Sequence, residues 1–420
     1  MAPETRPAKV SLSSSLTASF PPGQVRKGRE GDAVDGIVPG IVITARDTDD
    51  VRRLINEARR DRVAIVPAGG ATQLDLGNVP RAADVRLNLT GMTRIVERHP
   101  EDMVVTVEAG VTLARLQNVL AADGQRLALD PAAPAQATIG GIVAADASGA
   151  MAGAFGRPRD LVLGLTAVDG NARLLRVGAK VVKNVAGYDL VRLLVGSRGS
   201  LAILTEITLR THPIPQCSKT LAFRFPSSEA LARAVAALGA SELEPAAAEF
   251  ALEPQSESVW LLRAGIEGVA GAIEYQEHRL AELCQRPAAA DDDRSRIHPD
   301  RDEKLVLATT VPPARAVSVA ADLVGELERA GIAARAAGRP ADGLIRVFAR
   351  EAPGQDGVAL LDRLAPLAGG RLLLERAPTR LKHGLDVWGP LPPGFDIMRR
   401  LKQRFDPDAV LAPGRMVGRL

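Results

Sequence analysis

Two adjacent glycines that directly follow a β-branched run are the first feature of this sequence that could bind a ligand. Val63 to Val66 predicts a short strand. It leads into the loop formed by Pro67, Ala68, Gly69, Gly70, Ala71, Thr72, Gln73 and Leu74. Glycines allow main-chain N–H groups to approach an anion without side-chain obstruction, so this loop could be an anion nest that reaches a pyrophosphate. The alternative is an ordinary tight turn, in which paired glycines are common.

A second set of small residues follows a proline-rich approach that begins near Pro131. Its members are Thr138, Gly140, Gly141 and, a little further on, Ser148. Small residues let the backbone pack closely against a flat ring or a phosphate, and the two hydroxyl groups offer hydrogen bonds. The same glycines could equally serve helix packing.

A third set lies in Val181 to Asp189, which reads V-V-K-N-V-A-G-Y-D, and in the following G-S-R-G-S-L-A-I-L-T-E. Lys183 could balance a phosphate charge, and Tyr188 could stack or donate a hydrogen bond. Main-chain groups near Leu201 to Ile203 could meet the edge of a ring. A solvated lysine and a buried structural tyrosine are the alternatives.

Other familiar nucleotide and metal motifs are absent from the sequence. No G-x-G-x-x-G follows a strand, and no G-x-x-x-x-G-K-[ST] occurs, which excludes a dinucleotide Rossmann fingerprint and a P-loop. The five histidines are widely separated and form no metal pattern with cysteines. Two cysteines cannot hold a four-thiolate iron–sulfur cluster.

The elements that would position these loops alternate between strands and helices. Residues 33–213 predict a mixed α and β domain, with a helix at Thr48 to Arg60 and a last strand at Ile203 to Arg210. Residues 214–377 repeat a β-α-β-β-α rhythm twice, which predicts an α+β, ferredoxin-like layer. Residues 1–32 are interpreted as a flexible N-terminal tail, and residues 378–420 as a C-terminal segment that returns to the first domain.

The composition argues against a nucleic-acid partner and against a membrane-spanning helix. Lys and Arg number 53 against 50 Asp and Glu, and aromatic residues are 3% of the chain, so a nucleic-acid partner is not expected. The sequence contains no uncharged apolar run of about 18 residues, so no membrane-spanning helix is expected. The low cysteine count favours a cytoplasmic location. Any membrane association is expected to come through a partner.

The motifs, taken in order, resemble one known superfamily. P-A-G-G-A-T, A-T-I-G-G, G-R-P-R-D-L-V-L-G-L, K-N-V-A-G-Y-D-L and G-S-R-G-S-L-A-I-L-T-E look like the FAD-binding domain of the vanillyl-alcohol oxidase and p-cresol methylhydroxylase superfamily. The resemblance covers residues 36 to 213, and W-G-P-L-P-P and F-D-P-D-A-V-L-A-P-G-R-M extend it to the C-terminus. It implies an α+β fold: a two-subdomain PCMH-type FAD-binding domain followed by a ferredoxin-like α+β cap domain.

The resemblance also implies which residues hold the cofactor. Ala68 to Leu74, with Pro67, would contact the FAD pyrophosphate. The flavin side and the rest of the pocket would be formed by Pro131, Thr138, Gly140, Gly141, Ser148, Gly187, Tyr188, Asp189 and Ile203. Because the pyrophosphate loop contains no His or Cys and no cysteine precedes Cys217, non-covalent FAD is expected.

Some positions depart from the superfamily pattern. Arg198 stands where an acidic residue is frequent, and Ala202 where a glycine is frequent. The histidine-bearing G-D-G-N-x-H and H-G-x-G motifs of related hydroxy-acid dehydrogenases are absent, so no residue is assigned as catalytic. His383 is the nearest candidate for a base or anion contact.

The K-N-V-A-G-Y-D variant is similar to that of E-type subunits of glycolate oxidase. It implies an FAD-binding subunit of a glycolate oxidase (glycolate dehydrogenase)-type complex, which takes part in oxidising a small 2-hydroxy acid to a 2-oxo acid. The implied partners are a sister flavoprotein subunit and an iron–sulfur subunit. One alternative is a self-sufficient FAD-linked 2-hydroxy-acid or alcohol dehydrogenase. The other alternative is a non-redox structural subunit.

Overall fold

The computed structural model describes residues 14–179, 187–253, 259–291, 295–354 and 357–420. The chain divides into two compact units. The first comprises the residues up to Ala147 together with Arg157–Pro213 and Leu391–Leu420. The second comprises Ser148–Gly156 and Ile214–Pro390.

Strands are numbered in chain order within the described residues. They are β1 (Val25–Lys27), β2 (Ile41–Thr44), β3 (Ile65–Ala68), β4 (Val85–Asn88), β5 (Ile95–His99), β6 (Val104–Glu108), β7 (Gln125–Arg126), β8 (Val162–Asp169), β9 (Leu174–Gly178), β10 (Ala202–Arg210), β11 (His212–Pro213), β12 (Cys217–Phe225), β13 (Ala247–Glu253), β14 (Val259–Gly268), β15 (Ala289–Ala290), β16 (Leu305–Thr310), β17 (Ala334–Gly338), β18 (Leu344–Ala349) and β19 (Leu373–Arg376).

The α-helices are numbered in the same way. They are α1 (Ser14–Ala18), α2 (Thr48–Asp61), α3 (Leu113–Ala121), α4 (Ile139–Ala145), α5 (Ala152–Phe155), α6 (Pro158–Leu161), α7 (Leu190–Leu194), α8 (Ser228–Gly239), α9 (Ala270–Cys284), α10 (Ala316–Arg329), α11 (Gly357–Leu367), α12 (Thr379–Gly384) and α13 (Phe395–Phe405).

The first unit is built on two larger sheets, which correspond to the two expected subdomains. One has the order β1-β2-β4-β3, in which β2, β3 and β4 are parallel. The other is antiparallel with the order β5-β6-β10-β8-β9. Their apolar residues join in one core that also includes α2, α3 and α4. Parallel strands joined through α2 place the loop after β3 at the carboxyl end of the sheet, where ligands bind in open α/β sheets.

The helix α2 shows why this arrangement forms. The Asp47 side chain accepts a hydrogen bond from Asp50 N at 2.8 Å and caps the helix, which ends at Arg62 in the left-handed conformation. Its helically spaced apolar residues are fully buried and hold it against the sheet. They are Val51, Leu54, Ile55 and Ala58.

The second unit contains two ferredoxin-like repeats in one antiparallel sheet of eight strands, ordered β15-β12-β14-β13-β17-β18-β16-β19 within the described residues. Strands β12 to β15 alternate with α8 and α9, and strands β16 to β19 alternate with α10 and α11. The second strands of the two repeats, β13 and β17, pair with each other. The helices bury their apolar faces with one face of the sheet in a second core. The expected α+β fold with a ferredoxin-like layer is confirmed.

The N-terminal segment differs from the predicted flexible tail. Residues 14–32 are built into the first unit, where Leu16 is fully buried and Phe20 nearly so. Strand β1 pairs with β2, and the Arg53 guanidinium lies over the Phe20 ring at 5.5 Å. The segment is rich in Ser, Pro, Arg and Gly, which led to the prediction of a flexible tail. Leu16 and Phe20, four residues apart, nevertheless pack on α2.

Two boundaries also differ from those predicted. Residues 148–156 lie in the second unit, although the sequence places them inside the first domain. The return to the first unit occurs at Leu391 rather than at residue 378, since Val387 belongs to the second core. No described helix combines the length and apolarity needed to cross a membrane.

Replacement of Leu16 tests whether the N-terminal segment contributes to the first core. We expect Leu16→Ala to reduce the free energy of unfolding by about 2–5 kcal/mol, because the lost side chain is fully buried. Chemical denaturation monitored by circular dichroism measures this change. Leu391→Ala is the matched control, because Leu391 is 57% exposed and its loss should change stability little. Equal effects of both substitutions would contradict the assignment.

Candidate functional site

The predicted glycine loop lies at the end of β3 and forms one wall of a cavity in the first unit. Residues Pro67 to Leu74 all line this cavity. No hydrogen-bond acceptor is found among the described residues for the main-chain N–H groups of Gly69 to Leu74. Ala71 has a φ of +57°, a left-handed conformation that is uncommon for a residue with a side chain. Such a run of uncommitted N–H donors is suited to binding an anion.

The two glycines of the loop bring it against the second predicted set. A Cβ atom on Gly69 would lie 2.0 Å from Thr138 Oγ1, and one on Gly70 would lie 1.7 Å from the main-chain oxygen of Gln136. Any side chain at these positions would therefore force the two segments apart. The glycines serve close packing of backbone against backbone, and this packing sets the position of the loop.

The short helix α4 forms the second wall. Thr138 is its N-cap and accepts a hydrogen bond from Gly141 N at 3.2 Å. Gly140 packs on Ala109, where a Cβ atom would approach the Ala109 Cβ to 2.6 Å. Thr138, Gly140 and Gly141 all line the cavity.

The turn at residues 196–200 forms the third wall. Its N–H groups donate hydrogen bonds to the main-chain carbonyls at the C-terminus of α4. Gly196 N donates to Val143 O at 3.1 Å, and Arg198 N donates to Ala144 O at 2.9 Å. The Arg198 side chain then donates from Nη2 to Ala145 O at 3.3 Å. A cation is favoured at a helix C-terminus, which gives a structural reason for arginine where an acidic residue is frequent.

The third wall meets the first through Gly199. A Cβ atom on Gly199 would lie 2.3 Å from Pro67 Cγ, and Gly199 has a φ of +71°. Beyond the turn, the start of β10 completes the lining with Ala202, Ile203 and Leu204. The loop after β3, the segment around α4 and the turn at residues 196–200 are therefore in mutual contact around one cavity.

The cavity has the charge expected of a site for a phosphate-bearing cofactor. Its space, about 780 Å³ with the adjoining open solvent included, is continuous with the surface. Arg198 and Arg415 are the charged residues of the lining, which contains no Asp or Glu. Uncommitted N–H donors and two guanidinium groups fit the diphosphate of FAD, and small apolar residues fit a flat ring. No His or Cys is among the lining residues, so we expect FAD to be held without a covalent bond.

Arg415 is a residue of this site that the sequence reasoning left without a role. Its Nη2 atom donates to Leu74 O at 2.6 Å and to Leu76 O at 2.9 Å. Its Nη1 atom donates to Asp35 at 3.2 Å. Arg415 lies in the A-P-G-R-M motif, which was noted only as part of the superfamily resemblance. Most of its hydrogen-bond acceptors are main-chain carbonyls, and these leave no pattern in the sequence.

Several predicted site residues lie outside the lining of the cavity. Pro131 is buried elsewhere, and Ser148, in the second unit, accepts a hydrogen bond from Arg339 Nη1 at 2.8 Å. Gly187 adopts a φ of +80°, and the neighbouring Tyr188 side chain is 95% exposed. Asp189 caps α7 by accepting a hydrogen bond from Arg192 N.

Two further sequence candidates do not join the site. Lys183 lies outside the described residues. His383 is exposed near the end of α12 in the second unit.

Comparisons with known proteins indicate an FAD-binding domain in the first unit. Residues 39–178 match a family described as the FAD binding domain. The chain is 35% identical over 217 residues to glycolate oxidase subunit GlcD of Bacillus subtilis, covering 52% of this chain and 46% of that protein. It is 36% identical over 180 residues to glycolate oxidase subunit GlcE of Escherichia coli, covering 42% of this chain and 50% of that protein. The matches thus span about half the length of each glycolate oxidase subunit.

Longer matches extend over nearly the whole chain. A D-lactate dehydrogenase of Archaeoglobus fulgidus is 28% identical over 411 residues, covering 90% of this chain and 92% of that protein. The solved structure of p-cresol methylhydroxylase with substrate bound has a TM-score of 0.73 at 15% identity, covering 95% of each chain. At that identity, the structural likeness establishes the fold.

The match over residues 39–178 identifies an FAD-binding domain, so FAD is the cofactor of this chain, and the cavity lies in the first unit, which contains that domain. The fold is like that of p-cresol methylhydroxylase.

Substitution of Gly70 tests the assignment of the cavity. In Gly70→Ala the new Cβ would overlap Gln136 O, so the loop must move and the FAD dissociation constant should rise about tenfold or more. Titration of apoprotein with FAD, followed by flavin fluorescence, measures this constant. Gly23→Ala is the matched control, since a Cβ on Gly23 meets no atom within 4 Å. FAD affinity equal to that of the unsubstituted protein in Gly70→Ala would show that the cofactor binds elsewhere.

Proposed function

We propose that this chain takes part in the FAD-linked oxidation of a small 2-hydroxy acid to a 2-oxo acid, as the FAD-binding subunit of a glycolate-oxidase-type complex. The observation that carries the proposal is the cavity lined by the N–H groups of Gly69 to Leu74, which have no acceptor among the described residues. It occurs in a chain similar to two glycolate oxidase subunits. The proposed partners are a sister flavoprotein subunit and an iron–sulfur subunit.

The residues of the cavity have distinct roles in this proposal. The N–H groups of Gly69 to Leu74 bind the FAD diphosphate, and Arg198 and Arg415 contribute positive charge to the same cavity. Thr138, Gly140, Gly141 and Ile203 line the space that receives the rest of the cofactor. When bound, FAD would supply the redox chemistry by accepting electrons within the complex.

The partner that carries iron–sulfur clusters is inferred from the cysteines. Cys217 is exposed and Cys284 is buried, and burial raises the pKa of the Cys284 thiol to about 11. A thiol of this kind stays protonated at neutral pH and is a poor metal ligand. Two cysteines are in any case too few for a four-thiolate cluster. Electrons that leave by such clusters would therefore need another chain.

The accessory role is supported by the arginines of the second unit. A 2-hydroxy acid carries a carboxylate, which arginine binds well when its guanidinium is not already paired. Four buried or half-buried arginines of this unit each form an ion pair with a carboxylate of the same unit. The pairs are Arg263 with Glu249 and Asp291, Arg335 with Glu303, Arg339 with Asp342, and Arg346 with Glu375.

A second candidate function is a self-sufficient dehydrogenase for 2-hydroxy acids. The match to the Archaeoglobus fulgidus D-lactate dehydrogenase favours it, because that match extends over nearly the full length of both chains. In this case the chain would bind the hydroxy acid itself. Because the histidine-bearing motifs of related dehydrogenases are absent, another residue would accept the proton of the substrate.

Anaerobic reduction of the bound flavin separates the two functions. We expect the purified FAD-loaded chain to keep its oxidised absorption spectrum when glycolate or D-lactate is added, since the substrate would bind to a sister subunit. A self-sufficient enzyme would instead bleach the flavin and turn over at roughly 1 per second or more. That outcome would contradict the accessory role. Gly70→Ala protein without flavin gives the baseline.

A further inference from the structure

A buried lysine of the C-terminal segment binds the segments that form two walls of the cofactor cavity, although the lysine itself does not line the cavity. Lys402, in α13, is 7% exposed, and its partner Asp406 is 2% exposed. Burial lowers the pKa of the Lys402 ammonium, and its contacts with Asp406 oppose that shift. A buried charge of this kind persists only when it is paired and fully hydrogen-bonded.

The ammonium group has an acceptor for each of its three protons. Lys402 Nζ lies 2.6 Å from Asp406 Oδ2 and donates to Ser200 O and to Leu411 O, each at 2.8 Å. Ser200 directly follows Arg198 and Gly199, which line the cavity. The lysine therefore fixes the turn that forms the third wall.

The same ion pair also fixes the strand that leads to the first wall. Asp406 accepts hydrogen bonds from Val410 N at 3.0 Å and Leu411 N at 2.9 Å. Residues 410–412 in turn flank β3, where Ile65 N donates to Val410 O at 2.7 Å and Ala412 N donates to Ile65 O at 2.8 Å. Strand β3 continues into Pro67 and the glycine loop.

Close packing supports a defined position for this pair. A Cβ atom on Gly170 would lie 2.4 Å from Asp406 Oδ1, so the carboxylate is held against the backbone that follows β8. Lys402 and Asp406 are not among the residues that line the cavity. Any effect of the pair on the cofactor must then pass through the two walls that it joins.

We propose that the Lys402–Asp406 pair is a positioning device for the FAD cavity, which sets the separation between the glycine loop after β3 and the turn at residues 196–200. Its role is to hold two walls of the cavity in the binding geometry before FAD arrives, which strengthens binding without contact. The proposal concerns cofactor binding and is independent of which hydroxy acid is oxidised.

Neutral replacement of the lysine tests this proposal. Lys402→Met keeps the apolar stem and removes the bonds to Ser200 and Leu411, and the FAD dissociation constant should rise about tenfold. The double variant Lys402→Met/Asp406→Asn leaves no unpaired buried charge and keeps a carbonyl acceptor for one of the two N–H groups of residues 410 and 411. We expect it to recover stability but to bind FAD as weakly as the single variant. Fluorescence titration of apoprotein and the visible circular dichroism of bound FAD are the measurements.

Arg335→Met is the matched control in the second unit. Arg335 also joins a carboxylate, that of Glu303, to two main-chain carbonyls, those of Arg296 and His298. We expect this variant to lower the unfolding temperature and to leave FAD affinity and the flavin dichroism unchanged. The proposal is overturned if either Lys402 variant binds FAD with unchanged affinity, or if Arg335→Met weakens binding equally. It is also overturned if neither Lys402 variant folds, since the pair would then serve folding.

Discussion

The main-chain N–H groups of residues 69 to 74 have no acceptor among the described residues, and the rest of the first unit is arranged around that condition. Residues 69 to 74 are half-buried, apart from the exposed Ala71, so these donors are accessible to an anion. The carbonyl groups of Leu74 and Leu76 in the same segment are already bound by Arg415. The run of available N–H groups, followed by a segment fixed by Arg415, suits the loop to binding an anion.

Because the N–H groups of the loop form no hydrogen bonds among the described residues, the position of the loop depends on its packing against neighbouring segments. Gly69 and Gly70 allow the loop to pack on residues 136–138, and Gly199 allows the turn to pack on Pro67. Ala71 and Arg198 adopt left-handed backbone conformations, which cost about 1–3 kcal/mol each. Packing and the buried cations Lys402 and Arg415 maintain this unfavourable geometry. The cavity is therefore stabilised both by Arg415 in its lining and by Lys402 outside it.

The sequence predicts the fold and the first wall well because both depend on local signals. The strand before Pro67, the capped helix α2 and the repeated β-α-β-β-α rhythm are periodic patterns within short windows. Tyr188 illustrates the limit, since its motif predicts a pocket residue and its side chain is exposed. Arg415 and Lys402 could not be assigned roles from sequence, because most of their acceptors are main-chain carbonyls, which leave no pattern in the sequence. Leu16 was missed because an apolar pair in a polar segment is a weak signal.

The division of the chain into two units also divides its polar interactions. The residues that line the cavity all belong to the first unit, whereas the second unit consists of two ferredoxin-like repeats. Four arginines of the second unit, Arg263, Arg335, Arg339 and Arg346, are paired with carboxylates of the same unit. Removing one partner of a buried pair costs about 3–5 kcal/mol because a charge is left uncompensated, so these pairs tie the strands and loops of the second unit together.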